Sequence, residues 1–223
     1  HGKFRRQRQM CIRDRLDAVR FISNHSSGRQ GHAIATALAK RGADVTLVSG
    51  PVNIPDPPGV ETVHVETAEQ MLAACKAALP ADIAVCTAAV ADWRAREQVS
   101  GKIKKRPGTT IAPTLSLTEN PDILAHLSSH PQRPELVVGF AAETNDLQAN
   151  ASEKLRRKGC DWIVANQVLQ DETGETVFGN TQNKVSLMTG DGQEEWPMMP
   201  KTELADRLVQ RIIDTIGAAH AKS

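Results

Sequence analysis

The sequence is predicted to form a doubly wound α/β domain, and three observations carry that reading. Short apolar runs recur as strands at Ala43–Val48, Glu61–Val65, Asp82–Val90, Glu135–Phe140 and Asp161–Ala165. Stretches with helical spacing alternate with them, which implies right-handed parallel crossovers. The first of those helices opens on a loop rich in serine and glycine, Ile22 to Gly31, which is where such folds hold anionic ligands. Together these features describe a Rossmann-like, mostly parallel sheet with a flap loop and a C-terminal antiparallel hairpin.

Composition narrows the class further. With 40% hydrophobic residues among 223, the chain can bury a substantial core. No apolar run reaches the roughly 20 residues of a membrane helix, and the N-terminus lacks the apolar centre of a signal peptide. A cytoplasmic protein with no membrane partner is expected. Cys11, Cys75, Cys86 and Cys160 lie far apart without metal-ligand spacing, so no metal-binding residues are assigned and the thiols are read as reduced. The net charge of +1 conceals an asymmetry, since Lys3, Arg5, Arg6, Arg8, Arg13 and Arg15 crowd the first fifteen residues against Asp14 alone. The rest of the chain is net acidic, which argues against a nucleic-acid partner.

Taken in order, residues 1–15 show no hydrophobic period and are read as a disordered or artefactual extension, with residues 16–223 as a single domain. A helix is expected over His32–Arg41, closed by Gly42. After the strand at Ala43–Val48, the proline-rich loop Pro51–Gly59 leads away. Thr67 caps a helix to about Leu79, and the strand at Asp82–Val90 reads as buried. Periodicity then stops from Ala91 to Pro113, a length that marks a functional loop, and glycines flank its basic run as in a flap. Thr114–Thr118 resumes as a strand, Asn120-Pro121 opens a helix to about Ser129, and Leu147–Lys158 is a helix closed by Gly159. Lys184–Met188 and Gln193–Pro197 form the hairpin. Thr202 caps a last helix with Leu204, Leu208, Ile212 and Ile216 along one face.

Four stretches carry candidate chemistry. Ser26, Ser27 and Gly28 suit an anion loop, with the Asn24 amide just upstream. Cys86-Thr87-Ala88-Ala89-Val90-Ala91-Asp92 follows the central strand; its small residues admit a flat ring or a ligand backbone, and Asp92 can accept from a ligand or hold magnesium. The run Lys102, Lys104, Lys105 and Arg106 is the one dense basic cluster outside the N-terminus, suited either to solvent or to closing over a polyphosphate. Lys154 and Lys158, four apart, share a helix face.

The segments Val19–Gly28, Ala88–Trp93, Lys102–Lys105, Asn120–Ile123 and Val138–Thr144, met in that order, closely resemble the phosphopantothenoylcysteine synthetase (phosphopantothenate–cysteine ligase) family of the bacterial, CTP-using type. The resemblance implies a ligase of coenzyme A biosynthesis. The carboxylate of 4′-phosphopantothenate attacks the α-phosphate of CTP, pyrophosphate leaves, and the amine of L-cysteine then displaces CMP from the acyl cytidylate. It implies catalytic roles for Asn24 and Lys102. It also implies nucleotide contacts for Ser26, Ser27, Gly28, Cys86, Thr87, Ala88, Asp92, Lys102, Asn120, Pro121, Asp122, Ile123, Phe140, Lys154 and Lys158, with Mg2+ as cofactor and a homodimer formed through the flap and hairpin. Val185, Leu187, Trp196 and Met198 are the hairpin residues expected at that partner face.

The chain departs from the family pattern in one place. Arg5–Arg15 contains neither the buried first strand nor the Gly-Gly-Thr-like turn expected before the Asp17–Arg20 segment, so an exposed sheet edge and weakened nucleotide binding are anticipated. The alternatives are therefore a nucleotide-binding fragment without activity, and an NAD(P)-binding oxidoreductase suggested by Gly28-x-x-Gly31. Against the latter, Ser49-Gly50-Pro51 stands where a ribose-binding acid belongs, and the sequence holds no tyrosine for a short-chain reductase.

Overall fold

A computed structural model describes residues 6–7, 12–24, 26–97, 100–103, 114–143, 147–167 and 182–221. Its centre is a six-stranded mixed sheet. β1 (Arg6–Gln7), β6 (Ile83–Cys86), β9 (Leu136–Glu143) and β10 (Trp162–Gln167) run parallel, and the antiparallel pair β11 (Gln182–Thr189) and β12 (Gly192–Pro200) extends it in the order β1-β6-β9-β10-β11-β12. A parallel pair, β4 (Thr46–Ser49) and β5 (Glu61–His64), lies beyond β1. Two small antiparallel ribbons complete the strands: β2 (Asp14–Arg15) with β3 (Phe21–Ile22), and β7 (Trp93–Ala95) with β8 (Leu117–Glu119).

Both sheet faces are covered, as the uninterrupted apolar strands require. Ile83, Val85, Val138, Val164 and Leu187 point to one side, where α1 (Arg29–Lys40) and α5 (Lys201–His220) pack through Ile34, Leu38, Leu204, Leu208, Ile212 and Ile216. Ala84, Cys86, Val137, Ala141 and Ile163 point to the other, under α2 (Ala68–Ala77), α3 (Ile123–Ser128) and α4 (Leu147–Lys158). Thr67 forms a full capping box with Gln70 at the start of α2. Gly42 and Gly159 end α1 and α4 with positive φ, 80° and 65°.

α3 comes unusually close to the sheet. A Cβ built on Gly139 in β9 would stand 2.5 Å from Leu124 Cδ2 and 2.8 Å from Ile163 Cδ1. Because both neighbours are packed in the core, Gly139→Ala should lower stability by about 1–3 kcal/mol through overpacking, read as a lower denaturant midpoint at unchanged slope. An unchanged midpoint would mean that α3 is free to shift.

Several expectations are corrected. Within the expected strandless extension, Arg6–Gln7 stands in parallel register with Ile83–Ala84, Ile12 is completely buried and Asp14–Arg15 joins a ribbon, while residues 1–5 and 8–11 lie outside the described residues. A two-residue strand of Arg and Gln pairs through its backbone, so it leaves no hydrophobic period to detect. The helix after Asn120 has Asp122 as its N-cap, whose carboxylate accepts from Ala125 N at 3.1 Å, and it begins at Ile123. The last helix begins at Lys201 after Pro200, one residue before the expected cap Thr202. On the hairpin, Val185, Leu187 and Trp196 are at most 2% exposed and belong to the chain's own core against α5, with Arg207 stacked over Trp196 at 4.8 Å. Of the four residues expected at a partner face, only Met198 is exposed.

Candidate functional site

The candidate site is assembled by the loop between β3 and α1, the loop after β6 and the start of α3, beside the carboxyl end of β6, where a parallel sheet holds ligands. The first of these loops runs from Ser23 to Gly28. Gly28 is the N-cap of α1 with φ 72°, and no side chain caps the helix. Ser26 Oγ accepts from Gly28 N at 3.4 Å, while Ser26 and Ser27 are exposed. The positive end of the α1 dipole thus stands beside two exposed serines, an arrangement suited to an anion. Asn24 Nδ2 donates to Val90 O at 3.1 Å, which ties this loop to the one after β6 and leaves Asn24 Oδ1 available.

The second loop follows Cys86, whose buried thiol is pushed well above its ordinary range by desolvation, so it is a packing group. Thr87 and Ala88 are half-buried and Asp92 is exposed. Asn120 braces this loop at two points and ties it to Asp14. Asn120 Nδ2 donates to Asp14 Oδ2 at 2.6 Å and to Ala91 O at 2.8 Å, and Asn120 N donates to Asp92 O at 2.8 Å. Arg94 adds a bond to Glu119 O and an ion pair with Glu69 at 2.8 Å. Pro121 is half-buried beside this brace.

On the far side, Asp122 pairs with Lys158 of α4. Burial raises the Asp122 carboxyl, but the hydrogen bonds from Lys158 and Ala125 N and the charges of Lys158 and Arg157 outweigh it, so the net shift is downward. Asp122 therefore stays ionised and holds Lys158 at the start of α3, next to Ile123. Lys154 and Phe140 are half-buried nearby, on the same helix and on β9.

Lys102 stands exposed at the root of the flap, and its neighbour Ile103 is fixed. Asp17, only 2% exposed, accepts from Val19 N and Arg20 N at 2.8 Å each, from Arg20 Nε at 2.9 Å and from Ile103 N at 3.1 Å. Arg20 Nη2 returns a bond to Ile103 O at 2.8 Å. The hydrogen bonds from Val19 N outward draw the Asp17 carboxyl far below the usual range, against the opposing effect of its burial. Lys104, Lys105 and Arg106 lie outside the described residues.

Sequence reasoning missed four participants. Asp14 is 1% exposed and anchors Asn120; it was hidden inside a basic run. Asp17 and Arg20 form the flap clasp, and their i,i+3 spacing at a turn was the available signal. Asn166, near the carboxyl end of β10 beside Ala142, carries a buried Oδ1 without a hydrogen-bond partner in the structure.

Fold and site together define a doubly wound α/β domain with an anion-loop site at its strand ends. The chain belongs to the DNA/pantothenate metabolism flavoprotein C-terminal domain family, whose model matches residues 11–216. It is 44% identical over 202 residues to the coenzyme A biosynthesis bifunctional protein CoaBC of Escherichia coli K12, covering 90% of this chain and 49% of that protein. It is 43% identical over 213 residues to the CoaBC of Mycobacterium bovis, covering 90% and 50%. The chain thus spans about half the length of these relatives. The crystal structure of the C-terminal domain of CoaBC superposes with a TM-score of 0.79 at 33% identity, over 96% of each chain. A Cab2 mutant in complex with phosphopantothenate-cysteine shares the fold, with a TM-score of 0.76 at 15% identity over 99% of this chain and 89% of that one.

Proposed function

We propose that this chain joins 4′-phosphopantothenate to L-cysteine at the expense of CTP, through an acyl cytidylate. The observation that carries this reading is the Asn24–Val90 bond, which sets an uncapped anion loop against the loop after β6. In the first half-reaction a carboxylate oxygen of 4′-phosphopantothenate attacks the α-phosphorus of CTP and the bond to pyrophosphate breaks. Ser26–Gly28 and the α1 dipole hold phosphate charge, and Lys102 neutralises the charge that builds on the reacting phosphate. In the second, the cysteine amine attacks the acyl carbonyl, CMP departs with the C–O bonding pair, and the amine gives up its proton. Asn24, with Oδ1 and one N–H unspent, orients the acyl group. Thr87, Ala88 and Phe140 line the base, while Asp122, Ile123, Lys154 and Lys158 form the far wall.

Among the described residues no group of three His, Cys, Asp or Glu is placed to hold a metal ion. Exposed Asp92 alone fits a magnesium ion that arrives on the triphosphate, and that ion would supply charge neutralisation there. Pyrophosphate release from CTP that requires 4′-phosphopantothenate but not cysteine tests the assignment. Release that never depends on 4′-phosphopantothenate would refute it.

The homodimer is assigned to the two ribbons. Val19, Phe21, Trp93, Leu115 and Leu117 are 42–62% exposed on or beside β2–β3 and β7–β8, and β2 lies against β7. A second copy would cover this apolar face. Trp93→Glu is expected to shift the sedimenting species from dimer to monomer at micromolar concentration; a wild-type monomer would remove the assignment.

A further inference from the structure

A cavity lies on the flank of α1 behind the anion loop, which it borders through Arg29, next to Gly28 in the chain, and His32. Its volume is about 490 Å3, and it opens between the outer face of α1, the proline loop after β4 and the start of α5. Small-molecule sites commonly fall between about 300 and 1,000 Å3. Arg29, His32, Ala33 and Thr36 present one helical stripe to it, at i, i+3, i+4 and i+7. Ile54, Pro55, Pro57, Pro58 and Pro200 supply apolar walls, and Lys201 closes it from α5.

The charges at its rim are what set this cavity apart from a packing defect. Arg29 and Lys201 come from different helices and form no ion pair among the described residues. Burial lowers the Lys201 ammonium, and the nearby Arg29 charge lowers it further, so the two cations repel across the opening. The one carboxylate in the lining, Asp56, is engaged by His64 Nε2 at 3.0 Å. His32, in the lining, is 7% exposed, with Nδ1 3.3 Å from Gly28 O. Two like charges held together over an apolar hollow are stabilised when an anion stands between them.

We propose that the cavity between Arg29 and Lys201 binds a small organic phosphate monoester, with the phosphate between the two cations and the apolar body against the proline wall. The cavity borders the anion loop but takes none of the residues assigned to the ligase reaction, and Lys201, on α5, is the variant that separates the two sites.

Phenyl phosphate is a suitable probe, titrated into the full chain while backbone amide shifts are followed. Saturable shifts at Ala33, Thr36, Ile54 and Thr202 are expected, with inorganic phosphate binding more weakly and benzyl alcohol not at all. Lys201→Gln and Arg29→Gln should each weaken Kd about tenfold, the scale of one charge-assisted hydrogen bond. Lys201→Gln removes a cation from the first turn of α5, where the helix dipole disfavours it, so folding is not at risk. Shifts confined to Ser26–Gly28, an unchanged Kd in Lys201→Gln, or equal binding of benzyl alcohol would each overturn the proposal.

Discussion

Lys102→Gln is expected to reduce turnover by about 10²–10³-fold, the usual cost of losing one donor to developing charge, with little change in thermal stability. The side chain is exposed and makes no ion pair among the described residues, so the folded state does not depend on it. Its position does depend on others, because the adjacent Ile103 is held at both N–H and carbonyl by Asp17 and Arg20. Holding Ile103 on both sides of its Cα restricts the adjacent lysine, which limits the entropy that a charge-stabilising role would cost. Single-turnover pyrophosphate release and a melting curve on the same sample decide the matter. Equal losses in both would make Lys102 a structural residue.

Much of this was legible in the sequence, and the rest was not for identifiable reasons. α1, α2, α4 and α5 announce themselves through apolar spacing and, for α2, through the Thr67–Gln70 box. The buried strands β6, β9 and β10 read as continuous apolar runs because both their faces are covered. β1 and β7 carry no such signal, whereas the strand expected at Thr114–Thr118 stands at Leu117–Glu119. Arg6–Gln7 and Trp93–Ala95 are two and three residues long, and what defines them is a partner distant in sequence, Ile83–Ala84 in one case and Leu117–Glu119 in the other. The hairpin differs: its alternation names a buried face without naming what buries it. That face belongs to α5. The site divides in the same way. Lys154 and Lys158 were visible as an i,i+4 pair, whereas the Asp14–Asn120 contact joins residues 106 apart and no local pattern encodes it.

That contact separates bracing from binding in the second large effect. Asn120→Ala should destabilise the chain by about 2–4 kcal/mol, because it leaves the Asp14 carboxylate buried without its shortest donor and removes the bond to Ala91 O. Nucleotide affinity should fall with stability, since the loop carrying Ala88 and Asp92 loses its anchor. Asn120→Asp should be worse at pH 7 than at pH 5, because it sets one carboxylate against another and acid relieves the repulsion by protonation. Denaturant midpoints at the two pH values, with CTP affinity measured alongside, test the role. If affinity falls while the midpoint stays, the Asn120 amide touches the nucleotide directly and the bracing role is wrong. If the midpoint falls and excess CTP restores activity, Asn120 acts by holding the post-β6 loop in place, and Asp14 within the basic N-terminal run becomes part of what shapes the site.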